Sequence, residues 1–349
     1  MPTFVVGWAR PTAREDWMNS QANFAVLLNP NARRVSDAVR NRIGEIVHPE
    51  HVYLSETEND APALVEGILN RGYDTVFTGG GDGTVTQFIN MLPDAEEAPR
   101  VGILRLGTGN AMAGIVSSGN PLADLKTFAS NPTTDAYTLP LCEAEGTRFA
   151  FAGLGLDAQI LNDYRTMKST LTGEPFQSML HNVGGYLVSV FGMTVPRMAA
   201  RWLKRHRVDV TITNTGSDAY VIERTPMGGQ IGRTIAHGDV LYEGPANAVM
   251  FGTCPFYGYN LKMLPFAGID QERFTLRVSN VPSAKIIGNM GKLWRGTFDD
   301  PRLFDFNADS VHMQFSEPMP YQLAGEAMGY REELTVGQAK RPVELVRFI

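Results

Sequence analysis

The chain has 349 residues, 43% hydrophobic and 19% charged, which suits one large or two ordinary domains with full cores and excludes extended disorder. A net charge of −6 excludes a globally basic surface, so no nucleic-acid partner is expected. Two cysteines, Cys142 and Cys254, stand too far apart for metal-type spacing and fit a reducing compartment, with cytoplasm as the expectation.

Residues 1–22 read as an N-terminal extension. Their short apolar run, Phe4 to Ala9, lacks the basic flank and length of a secretory segment. No stretch of roughly 18 apolar residues occurs, so no spanning helix is predicted.

From Phe24 the pattern alternates strand-like and helix-like runs, the signature of an α/β domain with a parallel sheet, predicted over residues 23–135. "FAVLL" (Phe24 to Leu28) is a buried strand, followed by a helix capped by Ser36. Next come a short strand at His51 to Leu54 and a helix with Asp60 as cap, Pro62 in its first turn and Gly72 as its stop. "DTVFT" then enters "GGGDGT" (Gly79 to Thr84), and "RVGILRLGTGNA" repeats the strand and glycine turn.

Residues 136–349 change to short alternating runs, "AYTLPL", "TRFAFAGLG", "RVDVTIT", "NAVMFGT", "RFTLRVS", "SVHMQF" and "VELVRF", and predict an antiparallel β-domain. A helical insert over 176–207 interrupts it, and its second half carries Arg197, Arg201, Lys204, Arg205 and Arg207. That half is either the solvated end of a core helix or a peripheral membrane contact. Trp202 and Trp294, each beside cations, read as core packing or as lipid-interface residues. The six histidines show no metal spacing.

A strand running into consecutive glycines and then a helix brings backbone N–H groups close to an anion, with the helix N-terminus adding positive potential. No lysine follows as in G-x-x-x-x-G-K-[ST], and G-x-G-x-x-G is absent here, so the two commoner nucleotide loops are excluded. Asp82 would repel phosphate unless a cation intervenes or it accepts a proton; the plain alternative is a strand-to-helix turn with Asp82 as a cap.

In order, "LNPNA" (Leu28 to Ala32), "GGDGT" (Gly80 to Thr84), "LGTGN" (Leu106 to Asn110), "GLGLDAQI" (Gly153 to Ile160), "YGYNLKMLPFAGID" (Tyr257 to Asp270) and the pair Gly325-Glu326 resemble the diacylglycerol kinase catalytic-domain family of soluble lipid kinases, which includes sphingosine and ceramide kinases. The resemblance runs from about residue 23 to the end. It implies a two-domain fold with ATP between an α/β domain and a C-terminal β-sandwich, and transfer of the γ-phosphoryl group to a lipid hydroxyl, diacylglycerol before sphingoid or ceramide lipids. It also implies Mg²⁺ as cofactor, a lipid partner at the inner membrane face, and leaves room for a homodimer.

By position, Asn29 and Ser55 flank the nucleotide, Gly80, Gly81, Asp82, Gly83, Thr84, Val85 and Thr86 hold the phosphates, and Thr108, Gly109 and Asn110 complete the pocket, with Asp82 meeting magnesium on the triphosphate. The family's terminal Asp-Gly-Glu reads Ala324-Gly325-Glu326 here, which leaves Glu326 or Asp82 to take the proton. An Asp-Gly pair that helps hold a structural metal in bacterial members is replaced by Gln271 and Glu272. Asp157 either caps the following helix or joins the site. Two other readings compete: a nucleotide- or lipid-binding homologue impaired by Ala324, and an NAD kinase-like enzyme, whose Gly-Ile-Asn-x-Gly segment is absent here.

Overall fold

The computed structural model describes residues 23–57, 59–93, 98–132, 135–156, 158, 208–225 and 228–348. The N-terminal extension, the insert at 176–207 with its basic end, Asp157 and Trp202 lie outside the described residues.

The first layer opens with β1 (Phe24–Leu28), buried throughout, and α1 (Asp37–Gly44), whose Ser36 cap accepts the Val39 N–H at 3.3 Å as expected. Then come β2 (Val52–Leu54) and α2 (Ala61–Leu69). Asp60 sits at the start of α2 without capping it; its carboxylate accepts the Thr57 hydroxyl at 2.6 Å instead. There follow β3 (Thr75–Gly80), α3 (Asp82–Met91), β4 (Arg100–Arg105), α4 (Ala111–Ile115), α5 (Pro121–Ser130) and β5 (Ala136–Leu139).

The second layer contains β6 (Cys142–Ala144), β7 (Thr147–Phe149), β8 (Phe151–Gly155), β9 (Val208–Asn214), β10 (Ala219–Thr225), β11 (Gly228–Ile235), β12 (Val240–Ala246), β13 (Ala248–Gly252) and β14 (Phe274–Ser279). After α6 (Ser283–Gly288) and α7 (Met290–Arg295) it continues through β15 (Leu303–Ala308), β16 (Ser310–Leu323) and β17 (Glu326–Gln338). The last strand, β18 (Val343–Val346), returns to the first layer.

Among the described residues the first sheet has the order β2-β1-β3-β4-β18-β5. It is parallel except for β5, which runs antiparallel to β18. The predicted boundary at 135/136 is therefore corrected at both ends: "AYTL" and "VELV" belong to the α/β sheet. Val343, Leu345 and Val346 are all buried there, because β18 covers the edge of β4, a contact between segments more than 200 residues apart that leaves no local pattern. Strand order reverses between β1 and β3, which opens a crevice beyond their carboxyl ends, where ligands of open α/β sheets bind.

The second domain is antiparallel, as predicted, and its sandwich takes the form of one hydrogen-bonded network of twelve strands among the described residues. β16 is shared: Val311–Phe315 pair with β9, whereas Tyr321–Leu323 pair with β8, and register shifts against β17 between them mark the change. The two domains meet along α3. At its C-terminal end Asn90 exchanges two 2.8 Å bonds with the Arg148 backbone, and the Arg148 guanidinium donates to the carbonyls of Ile89 (2.5 Å) and Leu92 (3.2 Å), a cation where the helix leaves acceptors unpaired. No helix among the described residues is long and apolar enough to cross a membrane.

Leu345 has no exposed surface between β4 and β5. Leu345→Ala is expected to lower unfolding free energy by about 2–5 kcal/mol in urea titrations, the range for a core leucine.

Candidate functional site

The end of β3 is bare because its neighbours occupy the space. A Cβ on Gly79 would overlap the Leu28 side chain, and one on Gly80 would lie 2.5 Å from Thr84 Oγ1. Gly81 precedes the first residue of α3, Asp82. Asn29, directly after β1, donates its backbone N–H to Gly79 O (2.9 Å) and its side-chain N–H to Thr84 Oγ1 (3.1 Å). The carboxyl ends of β1 and β3 are thus tied across the crevice.

The second turn follows β4. A Cβ on Gly107 would fall on Gly81 Cα, so the two turns pack backbone to backbone. Asn110 adopts the left-handed conformation (φ 55°), and its side chain closes the turn on Gly107, accepting that N–H at 3.1 Å and donating to that carbonyl at 2.9 Å. It therefore makes no side-chain cap for α4. Asp82 caps α4 instead: its Oδ2 accepts the Ala111 N–H (2.9 Å) and its Oδ1 the Met112 N–H (3.0 Å), with the backbone N–H groups of Asp82 and Asn110 also directed to it. Burial pushes the Asp82 carboxyl above its usual range, against the downward pull of those four donors.

Two elements of the second domain complete the constellation. The loop at Tyr257–Leu261 leans on the second turn through Tyr259 N–H to Gly109 O (2.9 Å), with Tyr259 and Asn260 both at positive φ (63° and 60°). The tip of the β16–β17 hairpin brings Glu326 to α3, where a Cβ on Gly83 would lie 2.9 Å from Glu326 Oε1. That tip is a two-residue turn: Leu323 pairs with Glu326, and Ala324 (φ 50°) and Gly325 (φ 84°) both take the positive φ of a type I′ hairpin.

Asn29, Gly80, Gly81, Asp82, Gly83, Thr84, Gly109, Asn110 and Glu326 are thus brought together. Thr108 is the exposed residue of the second turn, and Ser55 lies next to β1, its N–H on Leu28 O at 2.9 Å and its hydroxyl on Thr57 O at 3.3 Å. Val85 has no ligand-facing group: its side chain joins the hydrophobic core and its N–H donates to Gly81 O at 3.1 Å. Thr86 is buried, and its hydroxyl has no hydrogen-bond partner. Gln271 stands apart, engaged with Gly268 and Gln338. Sequence reasoning assigned no role to Gly107, Gly258 or Arg148; the glycine of "YGYN" was the available signal, whereas the Arg148 contact, 58 residues from Asn90, had none.

Residues 23–138 match the family model described as diacylglycerol kinase catalytic domain. The N-terminal domain is thus similar to that family. Similar curated proteins include a diacylglycerol kinase of Staphylococcus haemolyticus, 38% identical over 58 residues (17% of this chain, 18% of that protein). Human sphingosine kinase 2 is 43% identical over 68 residues, 18% of this chain and 10% of that protein. The chain thus spans less than a fifth of either relative in these matches. The crystal structure of a diacylglycerol kinase from Bacillus anthracis str. Sterne shares the fold, with a TM-score of 0.60, 17% identity and coverage of 93% of this chain and 97% of that one.

Asp82→Ala strips the caps from two buried N–H groups of α4, and an expected loss of about 2–5 kcal/mol follows, read by urea unfolding. At the hairpin tip the reverse holds. Ala324→Gly removes a Cβ held at positive φ, and a gain of about 1 kcal/mol in the same measurement is expected.

Proposed function

We propose that this chain is an ATP- and magnesium-dependent lipid kinase that transfers the γ-phosphoryl group to a lipid hydroxyl, diacylglycerol first and a sphingoid or ceramide lipid next. One observation carries the reading: two glycine turns matching a diacylglycerol kinase catalytic domain pack backbone to backbone at the strand-reversal crevice, with an exposed carboxylate, Glu326, at their rim.

The residues present suit a triphosphate. The first-turn N–H groups of Gly83 and Thr84 have no acceptor within α3, and the helix is ten residues long, which suits an anion at its N-terminus. Bound nucleotide and magnesium supply the phosphoryl group and charge neutralisation, and most of phosphoryl-transfer catalysis is positioning of this kind. Asn29 and Thr84 hold one wall of the cradle, and Thr108 and Gly109 the other. Asp82 sets the two turns against each other, because its oxygens face four backbone donors. That leaves Glu326 to take the proton from the lipid hydroxyl, a role worth about 10²–10⁴-fold. Such an enzyme would work in the cytosol and meet its acceptor at the inner membrane face.

A second reading, a binding homologue without turnover, rests on Ala324, whose methyl is buried where the family carries an acid. Both are tested by phosphate transfer from labelled ATP to diacylglycerol, monoacylglycerol, sphingosine and ceramide in mixed micelles. Transfer to one acceptor is expected, with Glu326→Gln lowering turnover by about 10²–10⁴-fold at unchanged ATP affinity. ATP binding without transfer to any lipid would favour the second reading, and unchanged turnover in the variant would remove Glu326 from its role.

A further inference from the structure

The turn after Pro265, where the resemblance implies a structural metal, does not suit one. Gln271, at the ligand position, brings no charge, and its amide N–H₂ lies 3.5 Å from Gly268 O. The nearby carboxylate is already engaged, since Asp270 Oδ1 accepts the Glu272 N–H at 2.9 Å and Oδ2 accepts Arg273 Nη1 at 2.8 Å. Among the described residues no group of three His, Cys, Asp or Glu side chains is placed to hold an ion.

Arg273 uses every nitrogen of its guanidinium at this spot. Beyond Asp270, Nη2 donates to Ser217 Oγ at 3.0 Å and Nε to Asp218 O at 2.9 Å, and the group lies 4.8 Å from the ring centroid of Tyr220. Ser217 in turn gives its hydroxyl to Asp309 Oδ2 (2.7 Å) and its N–H to Oδ1 (3.0 Å). Arg273 immediately precedes β14, Ser217 and Asp218 precede β10, and Asp309 follows β15, the strand between those two. One planar cation therefore gathers the ends of three adjacent strands. Its side chain is 13% exposed and that of Asp270 is 17% exposed, so water screens the pair little.

We propose that Arg273 is a built-in cation in place of the structural metal, closing the 268–273 turn and tying it to the 215–218 loop, so that the second domain folds without a bound ion. A divalent ion held by Asp270 would sit against this guanidinium, which opposes it. The inference is independent of the acceptor lipid and of turnover.

The test is melting of the full chain without nucleotide, followed by circular dichroism after dialysis against EDTA and again with excess Mg²⁺, Ca²⁺ or Mn²⁺, beside elemental analysis of the purified protein. Expected are one melting temperature in all conditions, no stoichiometric metal, and a fall of about 4 °C or more in Arg273→Met, with Asp270→Asn falling in the same direction and the double variant little below the worse single one. Should Arg273→Met fail to fold, Arg273→Lys, which keeps the charge and loses the fork, is expected to melt between wild type and Asp270→Asn. A melting temperature lowered by EDTA and restored by one of the ions, a copurified stoichiometric metal, or variants that melt like wild type would each overturn the proposal.

Discussion

The arrangement depends on one buried carboxylate. Asp82 begins α3, yet its oxygens accept the N–H groups that open α4, 29 and 30 residues further along the chain. A five-residue helix has too few internal bonds to form alone, so α4 exists because its first turn is capped from outside and its apolar side chains are buried. That cap also fixes the distance between the two glycine turns. Once it is set, Gly107 and Gly109 have to be glycine: one meets Gly81 Cα, and the other would place a Cβ 2.9 Å from Asp82 Oδ2. The bareness of the loops is thus a packing requirement before it is a ligand requirement, and the same residues meet both.

α3 carries this geometry to the second domain. Its N-terminal turn touches Glu326 on the β16–β17 hairpin, and its C-terminal end is held by Asn90 and Arg148 on β7. A helix fixed at both ends cannot rock independently of the sheet it touches. The hairpin tip and the first glycine turn are thereby packed against one another.

Much of this was legible in the sequence, and the part that was not has a common cause. Local signals held: the Ser36 cap, the alternation of strands and helices through α5, the glycine turns at two successive strand ends, and the antiparallel texture after residue 141. What escaped depends on contacts between distant segments. β18 is four residues of ordinary β-forming sequence, and only the open edge of β4 decides that it joins the first sheet. Asp82 was legible as a residue needing donors or a cation, but the donors lie on a different helix. Val85 fell within a motif and was counted with it, whereas helical geometry turns its side chain to the core.

The two departures from the family pattern differ in physical character. At the turn after Pro265, the missing carboxylate comes with a substitute, since the neighbouring arginine brings a charge and a planar fork to three acceptors. At the hairpin tip nothing comparable happens. A type I′ turn favours Asp-Gly over Ala-Gly, because aspartate tolerates the left-handed region better than alanine, so Ala324 works against the backbone it sits in. Turn stability therefore does not account for Ala324, and the acid it displaces would have been the better turn residue. What replaces that acid is a methyl group with 3% exposure, two residues before Glu326 in the same turn.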